Sequence, residues 1–303
     1  MSLNYTEVRT LTLDPATHPR GRAFLSAASG LVRMGRRHYV VADDEQHLGV
    51  FDATSEAPVQ LIRLFDGDLP ASAKKRKAEK ADLETLLLLP PLPRCPGGAL
   101  LALGSGSRPN RMRGALLGLD TLGAVLGPAR VVDLEPLYEP LVARFDELNI
   151  EGAVISGDDL MLLQRGNKGG PNATIRYSWP AILAWLEGDS STRLKPRSVR
   201  EYALGAVEGV PFGFTDATAL ADGGWLFSAV AETTDNSYDD GACRGAAIGI
   251  VGADDSLRSM QALSPLRKVE GLEARLVRGK VVVGMVTDAD DPEQPAQYGT
   301  ATL

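Results

Sequence analysis

Cysteine and histidine are both scarce in this chain of 303 residues. The two cysteines, Cys95 and Cys243, have neither the paired spacing of a zinc knuckle nor the density of a disulfide scaffold. A reducing compartment is the simpler expectation. The three histidines, His18, His38 and His47, show no spacing typical of a transition-metal site. Zinc chemistry is therefore not predicted. His38 falls inside a predicted strand, and only His47 is expected near the functional face described below.

Long apolar runs and an excess of basic residues are also missing. No stretch approaches about 18 uninterrupted apolar residues, and the N-terminus shows no charged segment followed by an apolar one. We therefore expect a cytoplasmic protein without a membrane partner. Lysine and arginine number 32 against 39 acidic residues, a net charge of -7. A nucleic-acid surface needs a basic face, so the expected partner is a small molecule or a protein. The sequence leaves the oligomeric state open.

What the chain does contain is a repeat. Five segments share one pattern: a small or acidic anchor, an apolar run, a short turn, and a second apolar run that ends in polar residues. They cover residues 29–45, 83–107, 150–167, 215–232 and 269–288. The anchors are Ser29, Glu84, Glu151, Asp216 and Glu270, at intervals of 54 to 67 residues. A period of this length, built from short strands, is typical of a β-propeller.

The period predicts an all-β fold, a five-bladed β-propeller that forms one domain over residues 1–303, with six blades as the alternative. The last segment supplies three strands, and residues 7–13 near the N-terminus alternate like a strand that completes their sheet. An array without this closure would leave unpaired strand edges that promote aggregation. Residues 180–188 fit a short helix or an outer strand. The basic run 73–80 is predicted to be a solvated connection, and residues 235–241 a solvated turn.

Two sets of side chains are predicted to share the mouth of the central channel, because the loop entering the first strand and the loop leaving the second strand lie on one face of a propeller. The first set contains the acidic anchors Glu84, Glu151, Asp216 and Glu270. The second set follows the second strands and contains Asp43, Asp44, Ser105, Ser107, Arg108, Arg165, Asn167, Glu232, Asp288 and Asp290. The alternative for any one anchor is that it only bonds the backbone of the neighbouring blade.

Carboxylates crowded into one mouth raise one another's pKa unless a positive charge offsets them. One candidate is a hard divalent metal, since carboxylate and amide oxygens are the ligands that Ca²⁺ prefers. The other is internal pairing with basic side chains, for which the candidates are Arg108, Arg111, Arg165, Arg275 and Lys77. The sequence does not separate these two possibilities.

Several short motifs resemble those of a bacterial propeller family of uncharacterised function and, more distantly, of esterase-like, phytase-related propellers. They are the blade openings NIEGAV, KVEGLEA and FTDATALADGG, and the strand ends VVADDE and LLQRGN. The likeness spans nearly the whole chain. Related propeller hydrolases and lactonases bind calcium at the channel mouth through Glu, Asn and Asp side chains. The resemblance therefore implies a calcium site formed by Glu151, Asn167, Asp216 and Glu270.

Two functions follow from these observations. In the first, a Ca²⁺-dependent hydrolase acts on a phosphoester, ester or lactone, with Glu151 or Asp216 activating water and Arg165 or Arg108 stabilising developing charge. Other mouth residues would bind the ligand, namely Glu84, Glu270, Asp44, Ser105, Arg108, Asn167, Glu232 and Asp288. In the second, the propeller is a non-catalytic scaffold that binds a small ligand or a protein on the same face.

Overall fold

The computed structural model describes residues 2–167, 169–189, 191–233 and 241–303. Most of the turn predicted at residues 235–241 lies outside them. The strands of these residues are β1 (Leu3–Asn4), β2 (Thr6–Thr10), β3 (Ala28–Met34), β4 (Arg37–Ala42), β5 (His47–Asp52), β6 (Gln60–Arg63), β7 (Leu83–Leu89), β8 (Ala99–Gly104), β9 (Arg113–Leu119), β10 (Val125–Asp133), β11 (Ile150–Ser156), β12 (Asp159–Gln164), β13 (Asn172–Ser178), β14 (Ser198–Tyr202), β15 (Ala206–Val207), β16 (Val210–Ala219), β17 (Trp225–Glu232), β18 (Cys243–Val251), β19 (Leu257–Ser264), β20 (Val269–Val277), β21 (Lys280–Thr287) and β22 (Gln297–Thr302).

These strands form five sheets that surround a central channel, so the predicted five-bladed β-propeller is confirmed. The sheets have the orders β3-β4-β5-β6, β7-β8-β9-β10, β11-β12-β13-β14, β15-β16-β17-β18-β19-β1 and β20-β21-β22-β2. We call them blades 1 to 5 in that order. The innermost strands β3, β7, β11, β16 and β20 each contact the innermost strands of both neighbouring blades. Each of these strands runs from the predicted mouth towards the opposite face.

The two chain ends meet in the last two blades. Strand β2 pairs antiparallel with β22, so the N-terminal strand completes blade 5 as predicted. Strand β1 pairs parallel with β19 at the outer edge of blade 4, with Leu3 opposite Leu263. This second pairing was not predicted from the sequence. The first ten residues therefore connect blade 4 to blade 5, and β1 and β2 cover the outer edges of these two sheets.

The hydrophobic core consists of five layers, one between each pair of neighbouring blades. The layer between blades 3 and 4, for example, packs Met161 and Leu163 against Phe214, Trp225 and Phe227. The other four layers lie between blades 1 and 2, 2 and 3, 4 and 5, and 5 and 1. Each blade is thus apolar on both of its faces, which explains the long apolar runs within the repeats.

Three α-helices lie in the described connections: α1 (Ala73–Glu79), α2 (Glu135–Val142) and α3 (Trp179–Leu186). Helix α3 settles the alternative for residues 180–188 in favour of a helix. Helix α1 covers residues 73–79 of the basic run and has no buried residue, so this part is solvated but helical rather than irregular. Lys80, the last residue of the run, is buried instead, which the sequence did not predict. None of the described helices is long and apolar enough to cross a membrane.

Candidate functional site

The same β-bulge occurs in every innermost strand, at the start of the strand in blades 1, 2, 3 and 5 and in the middle of β16 in blade 4. In each blade one residue is skipped in the pairing with the second strand, so that two residues oppose one. The skipped residues are Ser29, Glu84, Glu151, Thr215 and Glu270. They differ from the predicted anchors in blade 4 only, where the equivalent position is Thr215 and Asp216 follows it. We call the three carboxylates of this ring, Glu84, Glu151 and Glu270, the axial glutamates.

The two hydroxyl members of the ring join neighbouring blades. The Ser29 hydroxyl donates to the carbonyl of Leu83, and the Thr215 hydroxyl donates to the carbonyl of Val269 at 2.7 Å. Each acceptor immediately precedes the axial glutamate of the next blade. The alternative of a purely inter-blade role therefore describes these two positions, whereas the axial glutamates make no such bond among the described residues.

Asp216 also bonds the neighbouring blade. Its two carboxylate oxygens accept the backbone N–H groups of Ala217 and Leu272, each at 2.8 Å, and the side chain is buried. In three other blades the equivalent residue is a glycine: Gly30, Gly152 and Gly271. There the innermost strands approach so closely that a Cβ on Gly271 would lie 2.9 Å from the Cα of Gly30. The position after the bulge thus serves contact between blades.

One group of charges lies at blades 1 and 2. The Lys80 ammonium contacts Asp43 and lies 2.8 Å from Asp82 Oδ1. Arg111 lies 2.7 Å from the other oxygen of Asp82, which also accepts a 2.5 Å hydrogen bond from the Ser105 hydroxyl. Although burial opposes ionisation, these contacts lower the pKa of Asp82. Asp82 is therefore a fixed carboxylate enclosed by two cations.

A second group of charges lies at blades 3, 4 and 5. Arg165 donates to Glu232 at 2.7 Å and lies 3.5 Å from Glu151, which also accepts a bond from the Asn149 amide. Lys268 contacts Asp290 and lies 3.4 Å from Glu270 and 3.6 Å from Glu232. The backbone N–H of Gly241 gives Glu232 a further bond of 2.7 Å. Glu232 is thus the shared partner of Arg165 and Lys268.

Carboxylates outnumber the cations that contact them in this mouth. We define the mouth cluster from the described residues alone. Its carboxyl groups are Asp43, Asp82, Glu84, Glu151, Glu232, Glu270, Asp288 and Asp290, and its cations are Lys80, Arg111, Arg165 and Lys268. Full ionisation would leave an excess of four negative charges. Internal pairing by basic side chains is therefore present, but it offsets only part of the charge.

Three carboxyl groups of the mouth cluster have a raised pKa, and burial is the largest cause in each of them. Burial raises the pKa of Glu84 well above its usual range, and Asp82, Glu151 and Asp43 add to the effect. Burial likewise raises the pKa of Glu270, with Lys268 opposing it. Burial raises the pKa of Asp288 to about 8, again opposed by Lys268. The Glu84 residue as a whole is half-buried. Burial therefore favours the protonated form of these three groups.

The remaining predicted residues are distributed around the mouth. Asp44 pairs with Arg20 at 3.4 Å and with Arg76 at 3.3 Å. Ser107 accepts a 2.8 Å bond from Arg111. Arg108 precedes a single 3₁₀ turn after β8, and Asn167 is buried in the loop after β12.

His47 lies beside Glu45, 3.8 Å away, in a separate cluster that includes His18 and Arg20. Arg275 pairs with Glu273 on β20, away from the mouth.

Four residues of the mouth were not predicted: Lys80, Asp82, Asn149 and Lys268. Three of them share a signal, a polar residue two positions before an axial glutamate with an apolar residue between. The tripeptides are Asp82-Leu83-Glu84, Asn149-Ile150-Glu151 and Lys268-Val269-Glu270. Residues two apart on a strand point to the same face, so this pattern could have placed each polar residue beside its glutamate. No comparable signal marks Lys80.

The chain belongs to a family of proteins of unknown function, DUF6929, whose pattern matches residues 24–303. No match was found among curated protein sequences. The fold is similar to that of a glutaminyl cyclase from Myxococcus xanthus, with a TM-score of 0.50, 10% identity and 100% of both chains covered. It is also similar to an α-L-arabinofuranosidase from Podospora anserina, with a TM-score of 0.48, 11% identity and coverage of 100% and 97%. A gluconolactonase from Xanthomonas campestris gives a TM-score of 0.40, 11% identity and coverage of 88% and 69%. At 10% identity, the similarity to the glutaminyl cyclase shows the fold alone.

Proposed function

We propose that this protein is a hydrolase of a small polar ester, phosphoester or lactone, and that the reaction takes place at the channel mouth. The observation that carries the proposal is the state of Glu84. Its side chain faces the channel from a bulge, and it has neither a hydrogen bond nor an ion pair with any described residue. Neighbouring carboxylates with fixed cation partners surround it. Glu84 is thus the group in the mouth best suited to exchange a proton with a ligand.

Glu84 has the property that a general acid requires. A catalytic acid must keep its proton near neutral pH until the leaving group needs it. Burial and the charges of Asp82 and Glu151 raise the pKa of Glu84, so the neutral form is favoured. Asp82 stays ionised beside it, because Lys80 and Arg111 lower the pKa of that carboxyl group. Environments that separate two nearby carboxyl groups in this way are typical of acid–base sites.

Glu151 is the candidate general base. Burial raises the pKa of its carboxyl group, but Arg165 and Lys268 oppose this and favour the carboxylate. In the proposed step, a water oxygen attacks the carbonyl carbon or phosphorus of the substrate while Glu151 accepts a water proton. The bond to the leaving oxygen then breaks, and Glu84 supplies the proton that this oxygen takes up. Arg165, held by Glu232, stabilises the negative charge that develops on the substrate.

The four calcium ligands implied by the family resemblance do not fit an ion in this arrangement. Asp216 directs both oxygens to backbone N–H groups, and the cations Arg165 and Lys268 lie beside Glu151 and Glu270. Among the described residues, ligand atoms of three acidic groups lie within 4.8 Å of one another only at Asp43, Asp82 and Glu84, where Lys80 already contacts two. No step is assigned to a metal, and calcium binding stays a prediction.

A non-catalytic scaffold is the second candidate, and the closed contacts of Asp82 and Glu232 favour it. Each of these carboxylates is held by two cations and a further hydrogen-bond donor. Such groups are fixed and fully bonded, as expected in a mouth built for shape rather than chemistry. The two candidates differ in what they require of Glu84. A hydrolase requires this side chain to exchange a proton with the substrate, whereas a scaffold does not.

The deciding experiment is a hydrolase panel of p-nitrophenyl acetate, p-nitrophenyl phosphate and a δ-lactone, each with CaCl₂ and with EDTA. The variant Glu84→Gln keeps the shape of the side chain and removes its proton transfer. We expect it to lower kcat on the accepted substrate by about 10²-fold or more. Glu139→Gln, on an exposed position of α2, is the matched control and should leave kcat unchanged. Absence of hydrolysis across the panel, or full activity in Glu84→Gln, would leave the scaffold as the better account.

A further inference from the structure

The mouth already contains two ammonium groups, both supplied by the protein and both held by carboxylates. Lys80 Nζ lies between Asp43 and Asp82, and Lys268 Nζ lies among Glu232, Glu270 and Asp290. Each of the two lysine side chains is at least nine-tenths buried. An ammonium group has three donors and requires acceptors arranged around it. The carboxylates of this mouth therefore provide sites that accommodate such a group without a metal.

Glu270 is an axial carboxylate whose hydrogen-bonding capacity is unused. Its side chain is 4% exposed, and both of its oxygens are buried without a hydrogen-bond donor among the described residues. Lys268 Nζ, at 3.4 Å, provides a charge contact only. A buried carboxylate without donors is costly, so a donor from a ligand would satisfy it. Glu270 is the residue skipped at the bulge of β20, and the axial glutamate Glu151 is close enough to raise its pKa.

The spacing of the axial glutamates distinguishes an organic cation from a metal ion. Oxygens that share one Ca²⁺ at about 2.3–2.6 Å lie within about 5 Å of one another. Glu84, Glu151 and Glu270 do not form such a group within 4.8 Å in the described part of the chain. They still interact electrostatically, since Glu151 raises the pKa of both Glu84 and Glu270. Carboxylates that are coupled but too far apart for one ion can flank a larger cation with several N–H donors.

We propose that the axial glutamates bind the ammonium group of an organic cation, so that the ligand of this protein is an amine. The inference deepens the proposed function, because it rests on the channel mouth being the ligand site and assigns its substrate to the amine-bearing class. The excess of carboxylates over cations in the mouth cluster supplies the complementary charge. Bound ammonium favours the ionised form of these glutamates, so we expect binding to be coupled to proton release.

The test measures binding rather than turnover. Melting temperature and calorimetric titration of the full chain are compared for putrescine, for the neutral analogue 1,4-butanediol, and for CaCl₂ and NaCl at matched ionic strength. We expect a saturable rise in melting temperature with putrescine alone. The binding heat should differ between two buffers of different ionisation enthalpy, which reports proton release. Glu270→Gln and Glu84→Gln should each weaken putrescine binding by about tenfold or more, and Glu139→Gln should not.

The outcomes separate this inference from the proposed function. No response to putrescine, an equal response to butanediol or NaCl, or a response to CaCl₂ alone would overturn the amine assignment. Unchanged putrescine affinity in both Glu84→Gln and Glu270→Gln would also overturn the amine assignment. If Glu270→Gln does not fold, the affinity of Glu84→Gln alone decides the question. Hydrolysis of a neutral ester without any putrescine effect would support the proposed hydrolase and contradict the amine ligand. Tight putrescine binding without hydrolysis of any substrate would support the amine ligand and contradict the hydrolase.

Discussion

His38 predicts a pH dependence of stability that can be isolated by one substitution. The ring is 3% exposed, stacks on Phe51 at a centroid distance of 5.0 Å, and meets the edge of Tyr298 at 4.9 Å. Neither ring nitrogen has a well-formed hydrogen bond among the described residues. Burial is the largest of the effects that lower the pKa of His38 to about 4, followed by the positive charge of Arg33, and the backbone of Arg36 opposes them. The folded protein therefore keeps this histidine neutral.

The magnitude follows from the difference between the folded and unfolded pKa. The unfolded chain takes up a proton as the pH falls below about 6.5, whereas the folded protein resists protonation until about pH 4. The stability that the neutral ring contributes is thus complete above about pH 6.5 and is lost between that pH and about pH 4. Linkage converts the difference into about 3 kcal/mol of unfolding free energy. Below pH 4 both states are protonated, and the dependence ends.

The assay is urea unfolding of the wild type and His38→Leu at pH 7.5, 6, 5 and 4. Leucine removes the titrating group and keeps an apolar side chain of similar size against Phe51 and Tyr298. Mouth carboxyl groups titrate in both proteins, so their effect cancels in the comparison. We expect the wild type to lose about 3 kcal/mol relative to the variant between pH 7.5 and pH 4. Parallel pH profiles of the two proteins would refute the reasoning.

Four further expectations can be checked by unfolding or melting experiments. Deleting residues 4–13 removes β2 from blade 5 and should lower the melting temperature in one cooperative transition, whereas an unchanged melting temperature would contradict closure by this strand. Asp216→Ala leaves the buried N–H of Leu272 without its acceptor and should cost about 2 to 3 kcal/mol in urea unfolding, while Asp146→Ala on an exposed position should cost little. Gly271→Ala should cost about 1 to 3 kcal/mol because the added Cβ meets the backbone of Gly30. If calcium binds specifically, it should raise the melting temperature of the wild type but not of Glu151→Gln or Asp216→Asn, and an equal rise with NaCl would exclude a specific site.

The period of the anchors was enough to predict the number of blades, because each interval matches one four-stranded sheet. The apolar runs predicted the three strands after Glu270, and the alternating pattern near the N-terminus predicted the strand that completes their sheet. The pairing of β1 with β19 could not be predicted, since two residues carry no periodicity. Helix α1 was missed for a different reason. Its sequence AKKRKAE consists of strong helix formers, but a run of like charges is also typical of an irregular solvated connection.

The candidate site was predicted in its location and in part of its chemistry. Carboxylates and basic side chains do meet at one mouth, and Arg111 and Arg165 are among the cations that were expected to pair with them. Lys268 could have been placed from its position two residues before Glu270, whereas no local pattern marks Lys80. Lys80 follows α1 and lies outside the repeated pattern, so its contact with Asp43 depends on how the connection between blades 1 and 2 folds.

The bulge explains why Glu270 and Asp216 behave differently although both were predicted as anchors. In a regular strand, neighbouring residues point to opposite faces, and a shift of one residue exchanges the two environments. The bulge places its skipped residue towards the channel, where Glu270 meets Lys268, and the next residue towards the neighbouring blade, where Asp216 accepts two backbone N–H groups. Blade 4 carries its carboxylate one residue later than the other acidic blades. Of the four predicted acidic anchors, three are therefore axial glutamates and one is a structural aspartate. The number of carboxylates available to a ligand depends on the register of each carboxylate relative to the bulge, and not only on how many acidic residues the repeats contain.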